Sequence, residues 1–87
     1  MAFTDSEIAE AHEAVRGQAN SDDLYKLGLI YSTGETIDYV QAHMWFNLAA
    51  VRGDRDAARN RDVVSRRMTS EQIQQAEALA AAWKPTP

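Results

Sequence analysis

The two histidines are the first residues to consider for acid–base or metal chemistry. His12 and His43 are 31 residues apart, and neither has an acid or a second histidine at the spacing of a metal-binding motif. The chain has no cysteine, which excludes thiolate ligands, thiol nucleophiles and disulfides. We expect both histidines at the solvent edge of helices, with His43 beside Asn47 as an alternative contact for a partner. No metal and no cofactor is expected.

Carboxylates and serines are the other groups that could perform catalysis. Asp22 and Asp23 stand at a predicted helix start, where capping and the helix dipole account for them. Glu7, Glu10 and Glu13 have the spacing of a solvated helix face. No serine has the context of a nucleophile elbow, and the glycines stand singly rather than in a phosphate-binding loop. The sequence therefore predicts that the protein is not an enzyme, with a small hydrolase-like enzyme as a remote alternative.

Arginines in the second half of the chain offer recognition chemistry instead. Arg55, Arg59 and Arg66 fall on one face of a predicted helix, and Asp62 lies on that face at the spacing of an ion pair with Arg59 or Arg66. A self-neutralised surface is the first interpretation, and a patch that meets an acidic partner is the second. Nucleic acid is not expected as a partner, because the net charge is −4 and no aromatic stacking platform accompanies the arginines.

Length and composition limit the architecture that can position these residues. The 87 residues, of which 45% are hydrophobic and 25% charged, are typical of one globular domain. The N-terminal residues do not form a signal-peptide pattern, and no apolar stretch is long enough to cross a bilayer. We therefore expect a cytoplasmic protein with no membrane partner.

Start and stop signals divide the chain into five predicted helices. Each start has a side chain that can accept a hydrogen bond from a free backbone N–H: Thr4, Asn20 or Ser21, Asp38, Asp54 and Thr69. Three ends have a glycine, at Gly17, Gly34 and Gly53. The predicted helices span residues 5–16, 22–33, 38–52, 55–67 and 70–83.

The third predicted helix differs from the others because it is apolar on two sides. One stripe consists of Ala42, Trp45, Phe46 and Ala49, and a nearly opposite stripe consists of Val40, Met44, Leu48 and Val51. The other helices have a single apolar stripe, in the fifth Ile73, Ala76, Leu79, Ala80 and Trp83. A helix that is apolar on two sides has to pack between two neighbours, as it does in a stacked array of helical hairpins.

A short internal repeat also favours such an array. The segment Ala14-Val15-Arg16-Gly17 recurs as Ala50-Val51-Arg52-Gly53, at an offset of 36 residues, and each copy closes a predicted helix. A period of this length with two helices per unit is typical of a helical solenoid.

A longer pattern resembles a known family. From Leu27 the chain reads Leu-Gly-Leu-Ile-Tyr-Ser-Thr-Gly, and then has Asp38-Tyr39, Ala42, Trp45-Phe46, Ala49-Ala50 and Gly53. This pattern resembles the Sel-one-like repeat, a relative of the tetratricopeptide repeat that is common in bacterial proteins. The resemblance implies an all-α fold, an α-α superhelix of about five antiparallel helices. It places a single helical-repeat domain at 1–84, with a complete repeat at about 22–53, a C-terminal cap at about 54–84, and a tail at 85–87.

The resemblance implies a non-catalytic protein–protein interaction module, an adaptor or scaffold that binds a protein or peptide through a concave helical face. Tyr25 and Leu29 project away from the apolar stripe of the second helix and are the candidate contacts, although packing in the core is the alternative for both. The remaining candidate binding residues lie near them or on the fourth helix: Lys26, Ser32, Arg55, Arg59 and Arg66. A monomer is favoured, and a self-associating structural scaffold is the alternative.

Overall fold

The computed structural model describes residues 3–17, 19–34 and 36–84. Within these ranges the chain forms five α-helices and no strand: α1 (Asp5–Ala14), α2 (Ser21–Tyr31), α3 (Tyr39–Val51), α4 (Arg55–Ser65) and α5 (Ser70–Ala82). The prediction of an all-α fold is confirmed, and the observed helix ends differ from the predicted ones by at most two residues. The predicted tail at 85–87 lies outside the described residues.

The predicted helix starts are confirmed by their hydrogen bonds. Thr4 and Thr69 form capping boxes with Glu7 and Gln72, in which each side chain accepts a hydrogen bond from the other residue's backbone N–H. The other three helices begin after residues whose side chains accept a hydrogen bond from a first-turn N–H, namely Asn20, Asp38 and Asp54. These caps satisfy backbone donors that the helices themselves leave unpaired, and so set where each helix begins.

The glycine stop signals are also confirmed. Gly17, Gly34 and Gly53 have positive φ angles of 79°, 95° and 99°. Apart from its chain neighbours, a Cβ atom at Gly17 or Gly53 would meet no heavy atom of the described residues within 4 Å. The backbone conformation, and not crowding, therefore favours glycine there.

Helix α3 lies at the centre of the hydrophobic core. It packs against α2, α4 and α5, while α1 packs against α2. Both apolar stripes of α3 supply buried side chains, among them Phe46, which is 1% exposed, and Met44, which is 5% exposed. The prediction that this helix packs between neighbours is therefore confirmed. Val51 is an exception within its stripe, because it lies in the last turn of α3 and is 76% exposed.

Helices α2 and α3 approach each other closely at Gly28 and Phe46. A Cβ atom at position 28 would overlap the Phe46 ring. Leu24 and Leu27 of α2 are fully buried on the same side of the helix. The small residue at position 28 thus lets an aromatic ring fill the space between the two helix axes.

The five helices form a compact unit. The Cα radius of gyration is 12.0 Å, and a globular chain of this length is expected to have a value of about 12 Å. No helix within the described ranges is long and apolar enough to cross a membrane.

Candidate functional site

Two concave surfaces flank helix α3, and the first lies between α2 and α4. This α2/α4 groove has a volume of about 330 Å³. Its lining comes from α2, from the segment that leads into α3, from α3 and from the end of α4, and comprises Leu29, Ser32, Ile37, Tyr39, Phe46, Asn60, Val63, Val64 and Arg67. Phe46 is almost fully buried and therefore forms the base of the groove.

Exposed aliphatic side chains stand at this groove. Ile37 is 37% exposed and Val63 is 54% exposed, and both contribute to the lining. Val51 and Leu79, the other large exposed hydrophobic residues among those described, do not line it. Leu79 was predicted to lie in the apolar stripe of α5, but α5 packs mainly against α3 and leaves this side chain 38% exposed. Apolar side chains that remain in water around a concave surface provide contact area for a binding partner.

The predicted contacts on α2 occupy different positions around this groove. Leu29 is half-buried and lines it, and Ser32 lines it while its hydroxyl donates to the Leu29 carbonyl at 3.1 Å. Tyr25 is half-buried and packs against Phe46, with 5.6 Å between the ring centroids. The Asn60 side-chain amide donates to the Tyr25 hydroxyl at 2.8 Å, which joins α2 to α4 beside the groove. Tyr25 therefore packs between helices, the alternative that the sequence left open, and Leu29 is the better placed of the two for contact.

The charged candidates lie elsewhere on the surface. Lys26, Arg55, Arg59 and Arg66 are exposed, and none of them lines the α2/α4 groove. Their role in binding stays a prediction, with no groove contact to support it. Arg67 lines the groove instead. It had been assigned to the end of the fourth helix, but α4 ends at Ser65, and the chain turns there and brings Arg67 toward the groove. Sequence reasoning did not predict this early end of α4 and therefore did not place Arg67 at the groove.

The predicted ion pairs of Asp62 are not formed. Arg59 pairs with Asp56, one turn earlier on α4, and Asp62 contacts Arg61 at 3.4 Å. Asp56 competes for Arg59 because a spacing of three residues places their side chains on the same helix face. The interpretation of a locally neutralised helix applies to Arg59, whose exposed ion pair contributes little stability.

The second concave surface lies where the C-terminal ends of α1 and α5 meet α3. This tryptophan pocket has a volume of about 400 Å³ and is lined by His12, Val15, Arg16, Gln41, Met44, Trp45, Trp83 and Lys84. The Trp45 and Trp83 rings meet edge to face, with 5.5 Å between centroids and an interplanar angle of 77°. The indole N–H of Trp45 donates to the Gln41 side-chain oxygen at 3.1 Å. Sequence reasoning placed both tryptophans in apolar helix stripes and did not anticipate this pocket.

The prediction that His12 lies at the solvent edge is only partly correct. The residue is half-buried, and its Nε2 atom is 2.7 Å from the Tyr31 hydroxyl. Its ring meets the Trp45 ring edge to face, at 5.9 Å between centroids. Contacts with aromatic side chains of α2 and α3 hold the imidazole at one wall of the tryptophan pocket.

The prediction for His43 is wrong, because this side chain is only 4% exposed. Helix α4 covers the side of α3 that carries His43 and Asn47. The Arg61 guanidinium donates to the Asn47 side-chain oxygen at 3.0 Å, one turn beyond His43. The Nδ1 atom of His43 is buried without a hydrogen-bond partner among the described residues. Burial lowers the pKa of His43, and the nearby Arg61 charge lowers it further, against a smaller opposing effect of Glu77 and Asp62.

Two further observations concern the site. Among the described residues, no group of three or more His, Cys, Asp or Glu side chains is placed to hold a metal ion. Comparison of the chain with protein families, with characterised proteins and with solved structures found no match in any of the three.

Proposed function

We propose that the protein is a non-catalytic interaction module that binds a peptide segment of a partner protein in the α2/α4 groove. The observation that carries this proposal is the position of Ile37 and Val63, which remain exposed to solvent beside a groove with Phe46 at its base. A partner's apolar side chain that enters the groove removes its own surface and these aliphatic surfaces from water.

The size and charge of the groove define the kind of peptide. A volume of about 330 Å³ is at the small end of the range for ligand sites, roughly 300–1,000 Å³, and fits one or two side chains of a peptide. Within the described part of the chain, Arg67 is the one charged residue in the lining. Because a guanidinium binds carboxylates with directed hydrogen bonds, the preferred peptide has an Asp or Glu next to its apolar residue.

The fold context of this proposal is a helical repeat of the Sel-one-like type, with α2 and α3 as the complete hairpin and α4 and α5 as the closing pair. The repeated segment supports it, since Gly17 and Gly53 have similar φ angles at equivalent positions after a helix. Val15 is 4% exposed and its counterpart Val51 is 76% exposed, which fits an array that continues past the first copy and ends after the second. In such a module the groove between successive repeats is the binding surface.

A peptide-display experiment tests the proposal. The purified protein is used to select binders from a random peptide library, and selected peptides are measured by isothermal titration calorimetry. We expect them to share a large apolar residue adjacent to an acidic one. Val63→Asp places a charge in the groove and should abolish binding, whereas Val51→Asp makes the same change on an exposed valine outside it and should have no effect. Both positions are close to helix C-termini, so the two variants are also matched for interaction with the helix dipole.

A second pair of variants tests the acidic preference. Arg67→Glu should weaken binding of the selected peptides, while Arg66→Glu, one residue away and outside the lining, should leave it unchanged.

Equal effects of Val63→Asp and Val51→Asp would show that the groove is not the binding site. A mass that rises with concentration in analytical ultracentrifugation, and that Val63→Asp reduces to a monomer, would replace peptide binding with self-association.

A further inference from the structure

We propose that the tryptophan pocket is a second binding site, which takes a small molecule with a flat apolar body and a carboxylate, such as an aryl-alkanoate. This inference is independent of the peptide-binding proposal, because the pocket lies on the other side of α3 and shares no lining residue with the α2/α4 groove. Three features of the pocket lead to this ligand: its walls, its charges and its polar groups.

The walls of the pocket are aromatic and polarisable. Trp45 is 4% exposed and fixed in the core, while Trp83 is half-buried at the mouth. Met44 and Val15 complete the apolar surface. Aromatic rings and a thioether favour contact with another flat ring, through edge-to-face geometry and polarisable sulfur. The volume of about 400 Å³ falls in the usual range for small-molecule sites, roughly 300–1,000 Å³.

The charges at the pocket have one sign. Arg16 and Lys84 both line it, and no acidic residue among those that the structure describes does. Glu13 contacts Arg16 at 3.2 Å, but the two side chains are 62% and 73% exposed, and such an exposed pair is weak enough for a ligand carboxylate to compete with it. The Arg52 guanidinium lies 5.9 Å from the Trp83 ring centroid and adds positive charge nearby. A positive mouth on a chain of net charge −4 is complementary to an anionic ligand group.

The polar groups of the pocket are oriented by the protein itself. Gln41 accepts the Trp45 indole N–H through its side-chain oxygen, which leaves its Nε2 group as the hydrogen-bond donor of that side chain. His12 is held against the Tyr31 hydroxyl at 2.7 Å. A few polar groups in fixed positions on an apolar wall are typical of sites that orient a small ligand.

Tryptophan fluorescence provides a direct test, because the chain has two tryptophans and both line the pocket. The protein is titrated with 3-phenylpropionate, whose phenyl ring does not absorb at the red edge of the indole band. The uncharged 3-phenylpropionamide is the matched ligand. We expect a saturable change with the acid and binding weaker by about two- to fivefold with the amide, since two exposed charge pairs add little free energy each. The difference should shrink at high salt.

Variants and site mapping complete the test. The double variant Arg16→Ala/Lys84→Ala should bind the acid as weakly as the amide, and Lys26→Ala, which removes the chain's other lysine on α2 outside the pocket, should bind like the parent. If the double variant does not fold by circular dichroism, Lys84→Ala alone gives the same comparison, because Lys84 follows the end of α5. In ¹H–¹⁵N spectra the two indole N–H signals should shift, while the Val63 amide should not.

Four results would overturn the proposal. They are the lack of a saturable fluorescence change, equal affinity for the acid and the amide, unchanged binding by the folded Arg16 and Lys84 variants, and shifts centred on Val63 rather than on the indoles. The first three results do not bear on peptide selection by the α2/α4 groove, and the fourth would place the ligand in that groove, so the two proposals can fail separately.

Discussion

The α2/α4 groove and the tryptophan pocket are formed on opposite sides of one helix. Tyr39 and Phe46 of α3 line the groove, and Gln41, Met44 and Trp45 line the pocket. At roughly 100° per residue, the first pair and the second set point in nearly opposite directions from the helix axis. Helix α3 thus contributes to two concave surfaces that lie on different sides of its axis.

The two surfaces differ in chemistry more than in size. Their volumes are about 330 and 400 Å³. Among the described lining residues, the groove has exposed aliphatic side chains and one cation, and the pocket has aromatic walls and two cations. Aliphatic side chains adapt to the varied side chains of peptides, whereas fixed indole rings favour flat ligands. Adjacent residues of one helix, Trp45 and Phe46, can therefore serve different ligand classes.

Removal of Trp45 should have the largest effect on this arrangement. The side chain is 4% exposed and contacts both His12 and Trp83. Trp45→Ala should lower the free energy of unfolding by roughly 3–5 kcal/mol through lost burial and the cavity left behind. Because native domains typically have a free energy of unfolding of about 5–15 kcal/mol, this substitution would remove much of the stability. Urea unfolding followed by circular dichroism measures the change.

Trp83→Ala is the matched comparison for Trp45→Ala. Trp83 is half-buried at the pocket mouth, so its loss removes less contact and should cost clearly less stability. A Trp45→Ala protein that melts like the parent would show that the indole is not part of the core. Equal losses for the two variants would show that the pocket wall and the core are not distinct.

A methyl group added at Gly28 should have the next largest effect, on the groove side of α3. The new Cβ atom would overlap the Phe46 ring at the groove base. Gly28→Ala should lower the free energy of unfolding by about 1–3 kcal/mol, the usual cost of overpacking. On an exposed helix face the same change would stabilise the helix by roughly 0.5–1 kcal/mol. The sign of the measured change in stability therefore shows whether Phe46 crowds position 28.

Lys26→Ala provides the control on the exposed face of α2 and should change stability little. Thermal melts of the two variants beside the parent make the comparison. A Gly28→Ala variant with a higher melting temperature than the parent would contradict the close approach of α2 to α3.

Local signals in the sequence were sufficient to predict the helices. Thr4 with Glu7 and Thr69 with Gln72 interact within a single turn, and the positive φ at Gly53 is a property of one residue. The double apolar pattern of α3 also predicted its central position. These features depend on residues close together in the chain, which is why they could be read without the tertiary structure.

Features that depend on neighbouring helices could not be predicted in the same way. His43 was expected at the solvent edge of its helix beside Asn47, but Arg61 of α4 reaches across to Asn47. Arg67 enters the groove because α4 ends at Ser65, two residues before the predicted end. The tryptophan pocket depends on how the ends of α1 and α5 meet α3. Each of these outcomes is set by packing between elements distant in the chain, which periodicity does not encode.

Substitution of His43 should cause the smallest change in the free energy of unfolding at neutral pH. This residue lines neither concave surface. It is buried on α3, with Arg61 and Asp62 of α4 and Glu77 of α5 as the charged groups that act on it. Burial, reinforced by Arg61, holds its pKa in the folded protein below the ordinary value of 6.5. Below that value the unfolded chain takes up a proton that the folded chain resists, so stability should fall as the pH drops through the folded pKa.

Replacement of His43 by leucine isolates the effect of His43 protonation on stability from the effects of the other titrating groups. Because the buried Nδ1 atom has no partner among the described residues, His43→Leu should be nearly neutral or slightly stabilising at about pH 7.5. It should also remove the part of the loss of stability on acidification below about pH 6.5 that His43 causes. The pKa of Glu7 is held below 4.5 by hydrogen bonds with Thr4, so its contribution is lost only at lower pH. Urea unfolding of both proteins at several pH values measures the difference. Equal losses between pH 6.5 and 5 would show that the folded and unfolded proteins protonate His43 alike. The imidazole would then reach water, and the helices around α3 would be less tightly closed between the two surfaces.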